Sequence, residues 1–118
     1  MAYNSDVAIL LNGKAVAKMT DKIREAFDKV LPNKKEVKTG DETWTLYYAP
    51  CCKWSPMFSE DVSAIDGWLD KLDADEDELY EFLRMGEDSD DEEHHKNHCY
   101  DQDRLTVERF IALDGETL

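Results

Sequence analysis

Asp6-Val7-Ala8-Ile9-Leu10-Leu11-Asn12, followed at once by Gly13, is the stretch on which the fold turns. It is short, continuously apolar and closed by an Asn-Gly turn signal, so it predicts a buried strand. From Lys14 onward the period becomes helical. Val16, Met19, Ile23, Ala26, Phe27 and Val30 fall on one face, while Lys18, Lys22, Arg24, Glu25, Asp28 and Lys29 take the others. Pro32 cannot donate to a helical ladder, so one helix is expected from Lys14 to about Leu31.

Working outward, Thr43-Trp44-Thr45-Leu46-Tyr47-Tyr48 is rich in aromatic and β-branched residues and predicts a strand that ends before Pro50. Thr39-Gly40-Asp41 is a turn signal, and a short partner strand is expected to begin at Val37. Ser55-Pro56 resembles a helix start, and Phe58, Val62, Ile65, Leu69 and Leu72 make an apolar seam behind it. Gly67 inside that helix costs roughly 1 kcal/mol against Ala, which five seam positions outweigh. Leu79–Gly86 alternates Tyr80, Phe82 and Arg84 and predicts a strand. Residues 87–103 read as an acidic loop, and Leu105–Leu113 as one bulged strand closed by Asp114-Gly115. The expected fold is a single α+β domain over residues 1–118. Its small, mostly antiparallel sheet has about four strands, in the order β-α-β-α-β-β, with two helices on one face.

Composition bounds the function. The 118 residues carry 14 Lys+Arg against 28 Asp+Glu, a net charge of −14. The imbalance is local: residues 1–55 hold nine bases and seven acids, residues 56–118 five bases and 21 acids. Between Asp66 and Glu93, 14 acids face only Lys71 and Arg84. Such a field repels nucleic acid and anionic membranes and attracts basic protein surfaces. The bland alternative is a solvated face that aids solubility. No apolar run approaches the ~18 residues of a membrane span. The opening Met-Ala-Tyr-Asn-Ser-Asp has no basic region ahead of an apolar stretch, so no secretory signal is expected. Cys51, Cys52 and Cys99 are odd in number and poorly spaced for a disulfide framework, which suits reduced thiols and a cytoplasmic setting.

Chemical motifs are few. Asp73-x-Asp75-x-Asp77 opens like a calcium loop, but Glu78 stands where glycine is required and Arg84 where a bidentate glutamate is required. His94, His95, His98 and Cys99 offer zinc-type donors, yet adjacent histidines seldom converge on one ion from a strand. Cys99 as a nucleophile needs a nearby cation, and its surroundings are Asp90, Asp91, Glu92, Glu93, Asp101 and Asp103. No Gly-x-Ser-x-Gly motif or phosphate-cradling glycine loop occurs, so no enzyme and no cofactor are expected.

Tyr80-x-Phe82-x-Arg84-x-Gly86-Glu87-Asp88-x-Asp90-Asp91-x-Glu93 resembles a segment of small acidic proteins encoded by bacteriophages, in which a strand ends in Gly-Glu-Asp before an acidic loop. The likeness covers about 14 of 118 residues, and Met85 departs from it where a β-branched residue would suit a strand. It implies an origin on a mobile element and carries no activity with it. Trp44, Tyr47, Tyr48, Trp54, Phe58 and Trp68 form an aromatic group that is either core or binding surface.

The resulting expectation is a non-enzymatic, phage-type, anti-defence (anti-CRISPR-like) inhibitor. It would block a basic nucleic-acid-binding surface of a host complex by charge mimicry, with no direct nucleic-acid or membrane contact. The expected binding residues are Asp66, Asp70, Asp73, Asp75, Glu76, Asp77, Glu87, Asp88, Asp90 and Asp91, with Trp68 as an apolar anchor if it is exposed. The alternatives are a metal-binding protein using His94, His95, His98 and Cys99, and a structural or assembly protein that self-associates through its aromatics.

Overall fold

A computed structural model describes residues 5–39, 41–55, 59–72, 78–86, 91–97, 105–107, 111–114 and 116–117. In chain order the elements are β1 (Ser5–Asn12), α1 (Gly13–Ala17), α2 (Asp21–Val30), β2 (Asn33–Thr39), β3 (Glu42–Cys52), α3 (Glu60–Leu72), β4 (Tyr80–Met85), β5 (Glu92–Lys96), β6 (Leu105–Val107), β7 (Ile111–Leu113) and β8 (Glu116–Thr117). The first five strands form one antiparallel sheet in the order β2-β3-β1-β4-β5, and the last three form a small second sheet. The α+β class is as expected, with one more strand in the main sheet, a second sheet and a third, short helix.

The apolar run of β1 follows from its place at the centre. Val7, Ile9 and Leu11 face the helices and join Ala15, Met19, Ile23, Ala26, Phe27, Leu31, Ile65, Trp68, Leu69 and Leu72 in one core. Ala8 and Leu10 face the other way, into a second core with Trp44, Leu46, Leu83, Leu105, Ile111 and Leu113. A strand covered on both faces has no polar side to alternate with. The helices lie on one face, as expected; β6 and β7 cover the other.

Several boundaries differ from expectation, each for a local reason. The helix read from Lys14 to Leu31 breaks at Lys18–Thr20. Thr20 is extended and its Oγ1 accepts from Ile23 N at 3.2 Å, capping α2, while Asn12 Oδ1 accepts from Ala15 N at 2.9 Å and caps α1. Ala15, Met19 and Ile23 still share one core, which is why the period read straight through the break. Strand β2 begins at Asn33 rather than Val37 and pairs with β3 from Asn33↔Tyr48 to Thr39↔Glu42. Strand β3 continues past Pro50, which lies beyond the last pairing with β2 and opposite the register shift between Ser5 and Val7.

Helix α3 runs from Glu60, with Val62 N donating to Ser59 Oγ at 3.3 Å; ahead of it Ser59 N donates to Ser55 O at 3.0 Å, and Pro56 of the expected start lies outside the described residues. Phe58 lies outside the described residues. The stretch read as a loop from Glu87 to Asp103 contains β5, and the single strand read over Leu105–Leu113 is an antiparallel pair, Leu105↔Leu113 and Val107↔Ile111. Asp114 then turns with φ 49°, in the left-handed region that Asp tolerates better than most residues. No described helix is long and apolar enough to cross a membrane.

Candidate functional site

Helix α3 points Val62, Ile65, Trp68, Leu69 and Leu72 inward, which leaves Asp66 and Asp70 exposed and one turn apart. Beside them run β4 and β5, paired so that Phe82 lies opposite His95 and Arg84 opposite Glu93. Together these elements form a cleft of about 100 Å³ lined by Asp66, Leu69, Asp70, Tyr80, Phe82 and His95. Its accessible lining is mostly polar, because Leu69, Tyr80 and Phe82 are buried beneath it. The His95 ring stacks on Phe82 at 5.8 Å and 26°, and Trp54 lies against the same Phe82 ring at 5.5 Å.

Electrostatics single out Asp66. Partial burial pushes its carboxyl above the usual aspartate range, the negative charges of Asp70 and Glu93 push it further, and His95 pulls it back. The side chains of Asp66 and Asp70 make no hydrogen bond or salt bridge with a described residue, and His95 acts on Asp66 only at a distance.

The nearby arginine is already engaged. Arg84 Nη2 reaches Asp91 Oδ1 at 2.6 Å and Glu93 Oε1 at 2.9 Å, Nη1 donates to Asp91 Oδ2 at 3.2 Å and to Ser5 Oγ at 3.1 Å, and Nε donates to Glu93 Oε1 at 3.1 Å. Gly86 N donating to Asp91 O at 2.7 Å completes this clamp across residues 87–90. Asp91, expected among the binding acids, is therefore an internal ion-pair partner with its charge spent on Arg84.

A second clamp holds the residues that flank 73–77. Asn97 accepts from Tyr80 N at 2.7 Å and donates to Glu78 O at 2.7 Å and Leu72 O at 3.3 Å. Asn12 exchanges bonds with Leu79 at 3.0 and 3.1 Å, and Lys18 Nζ lies 3.3 Å from Glu78 Oε1. The residues that flank 73–77 and 87–90 are thus held at opposite ends of β4.

Of the other expected residues, Asp73, Asp75, Glu76, Asp77, Glu87, Asp88 and Asp90 lie outside the described residues, as do His98 and Cys99. Trp68 does not meet the condition set for an anchor. It is 8% exposed and packs edge-on against Phe27 at 5.7 Å, because it sits on the inner side of α3 beside Leu69. Trp44 and Tyr47 are buried too, so among the described members of the aromatic group only Tyr48 and Trp54 retain partial exposure for self-association. His94 and His95 do not converge. Adjacent on β5, they point to opposite faces, His95 onto Phe82 and His94 onto Glu81 at 2.7 Å. Among the described residues no group of three His, Cys, Asp or Glu is placed to hold a metal.

The sequence reading missed Glu93, His95, Phe82 and Tyr80 as parts of one site. The pairing that assembles them depends on β5, a strand without a single apolar residue. Searches against protein families, curated proteins and solved structures find no match to this chain, so the functional reading rests on the residues themselves.

Proposed function

We propose that this protein acts without catalysis, by setting the acidic side formed by α3 and β5 against a basic surface of another protein. The natural target is a nucleic-acid-binding groove, and a phage-encoded inhibitor of a host defence complex is the biological role that fits. The observation that carries the reading is the convergence of Asp66, Asp70 and Glu93 from two elements, where partial burial and the neighbouring carboxylates push the Asp66 carboxyl up and His95 only partly offsets them. Carboxylates held on a helix stand in for phosphates, Asp66 and Asp70 being placed to accept charge-assisted hydrogen bonds from Arg or Lys, while Glu93 adds its charge from the strand although it is paired with Arg84.

Charge polarity supports the orientation. Strand β2, with Lys34, Lys35 and Lys38, forms the opposite edge of the sheet, four strand spacings or roughly 19 Å from β5. A partner with a positive groove is attracted to one edge and repelled from the other, over a Debye length of about 8 Å at physiological ionic strength.

The test is a paired capture from bacterial lysate. Tagged wild type and the Asp66→Lys/Asp70→Lys variant are washed at low and high salt, and bound proteins are identified by mass spectrometry. One stoichiometric complex held by the wild type, released by salt and lost in the variant, supports the proposal. The same broad set of basic proteins on both baits refutes it.

A further inference from the structure

Strand β2 ends the main sheet on the side away from β5, and among the described residues it pairs only with β3. We propose that this edge pairs with the β2 edge of a second copy, antiparallel about a two-fold axis centred on Val37. The product is a weak, reversible dimer in which two five-stranded sheets become one.

The edge is accessible on both faces. The register with β3 puts Lys34 opposite Tyr47 and Glu36 opposite Thr45, on the side of the helices, and Lys35 and Val37 opposite Leu46 and Trp44, on the other side. Lys34, Glu36 and Lys38 are all exposed, so no described helix overhangs the strand. Val37 is half-buried, at the margin of the second core. An outermost strand offers its outer backbone groups to another strand, and lysines along it are the usual deterrent. Here Glu36 interrupts the lysine row, which makes the outcome depend on register.

A two-fold axis normal to the sheet keeps the helix-bearing faces on the same side. Because residues opposed across antiparallel strands share a face, the pairing is then centred on a single residue. Centred on Lys34, Lys35 or Lys38, it sets that lysine against its own copy. Centred on Glu36, it sets Glu36 against Glu36 and Lys34 against Lys38. Centred on Val37, it sets Glu36 against Lys38 and Lys38 against Glu36, with Val37 against Val37 and Lys35 against Thr39. Of these five registers only the last is free of opposed like charges. It also joins two half-buried valines into one apolar contact beside the second core. Opposed charges of opposite sign and β-branched pairs are the units that stabilise a sheet.

The distribution of charge favours this edge over the other. Residues 1–55 carry nine bases against seven acids, and the excess of acid lies beyond them. Joining two copies at β2 sends the acidic sides of α3 and β5 to the outer ends, nine strand spacings or roughly 43 Å apart. Joining them at β5 would press those sides together. With only residues 35–39 of each copy paired, the contact belongs to the class of small, transient interfaces. It does not depend on the target proposed above, and it leaves both acidic sides open to one.

The experiment is sedimentation velocity on the full chain from about 20 μM to about 1 mM at physiological salt, a range suited to a contact below ~1,200 Å². The weight-average mass should rise from the 13.7 kDa of one chain toward twice that value and no further. Glu36→Lys and Lys38→Glu each turn both symmetry-related ion pairs into like-charge pairs, and each should weaken association about tenfold or more. The double exchange Glu36→Lys/Lys38→Glu keeps the net charge and restores both pairs, so it should recover wild-type association. All three variants alter only exposed side chains. Asp66→Lys/Asp70→Lys, remote from β2, should not weaken it.

A mass of one chain throughout the range would overturn the proposal. So would association that the single exchanges leave intact or that the double exchange fails to restore. Loss of association in Asp66→Lys/Asp70→Lys, or growth beyond twice the mass of one chain, would mean a head-to-tail contact of the acidic side with β2 and would also overturn the two-fold dimer. The lysate capture is a separate readout. A captured complex from a chain that stays monomeric removes only the dimer, and a dimer with no captured complex removes only the target.

Discussion

Replacing Glu81 tests whether a buried carboxylate fastens the C-terminal strands to the main sheet. Glu81 is 0% exposed, and its Oε2 accepts from Leu105 N at 2.8 Å and lies 2.7 Å from His94 Nε2. Leu105 is itself fully buried, so Glu81→Ala strands its amide away from water. An unpaired buried donor costs about 1–3 kcal/mol. His94, a quarter exposed, recovers water and adds only about 0.5 kcal/mol. With some loss of packing the expected cost is about 2–4 kcal/mol, or roughly 8–16 °C in melting temperature for a chain of this size. Glu81→Gln keeps an oxygen for Leu105 and should cost less than half as much. The assays are urea denaturation followed by circular dichroism and hydrogen exchange at the Leu105 amide, which should lose its protection in Glu81→Ala and keep most of it in Glu81→Gln. A change below about 0.5 kcal/mol with Leu105 still protected would refute the argument, since surface substitutions alone produce that much.

Arg84→Met removes the clamp at the far end of β4. The side chains of Asp91 and Glu93 are 32% and 49% exposed and can return to water. The loss should therefore fall below the ~3–5 kcal/mol of a fully buried pair, at about 2 kcal/mol by thermal melting, and most of it should persist in high salt. Gly67→Ala should stabilise α3 by about 0.5–1 kcal/mol, because nothing lies within 4 Å of the added methyl and Ala is the better helix former; an unchanged melting temperature would contradict that. Asp66→Asn should raise the melting temperature at neutral pH. The folded carboxyl titrates above its unfolded value, so the group's favourable contribution is complete below the unfolded pKa of about 3.9 and is lost as pH rises through the folded value. The advantage of the variant should shrink as pH falls through that window, and a pH-independent difference would contradict the assignment.

What was legible from the residues was whatever a period or a stop signal encodes. The run Val7–Leu11, the seam of α3 and the alternation of Tyr80, Phe82 and Arg84 each placed an element correctly, because burial on a regular scaffold forces those spacings. The misses share a cause: the decisive partner is distant in sequence or chemically unremarkable. Thr20 divides two helices by one side-chain bond that leaves the apolar face intact. Strand β5 reads Glu-Glu-His-His-Lys and exists because β4 offers it an edge, which no local pattern announces. The acidic site was visible as charge but not as geometry. Asp66 and Asp70 could be placed on one outward helix face, whereas their meeting with His95 and Phe82 depends on the same unannounced strand. Trp68 went the other way, since its neighbour Leu69 and its flanking acids left its orientation open until Phe27 was in place.

The strongest objection to a binding role is that acidity on a small protein commonly serves solubility alone. A face made for solubility puts its carboxylates in water and gains nothing from crowding them. Here the acids divide into two kinds. Asp91 and Glu93 are drawn onto Arg84, and Glu78 onto Lys18, at the two ends of β4, so a local cation answers the charge there. Between those clamps partial burial and two neighbouring carboxylates, Asp70 and Glu93, oppose the ionisation of Asp66, and His95 favours it. Relief was available from a lysine at almost any exposed position nearby. A domain that neutralises its acids at both ends of a strand and leaves Asp66 facing two carboxylates, with His95 as a partial offset, favours an incoming cation at that place.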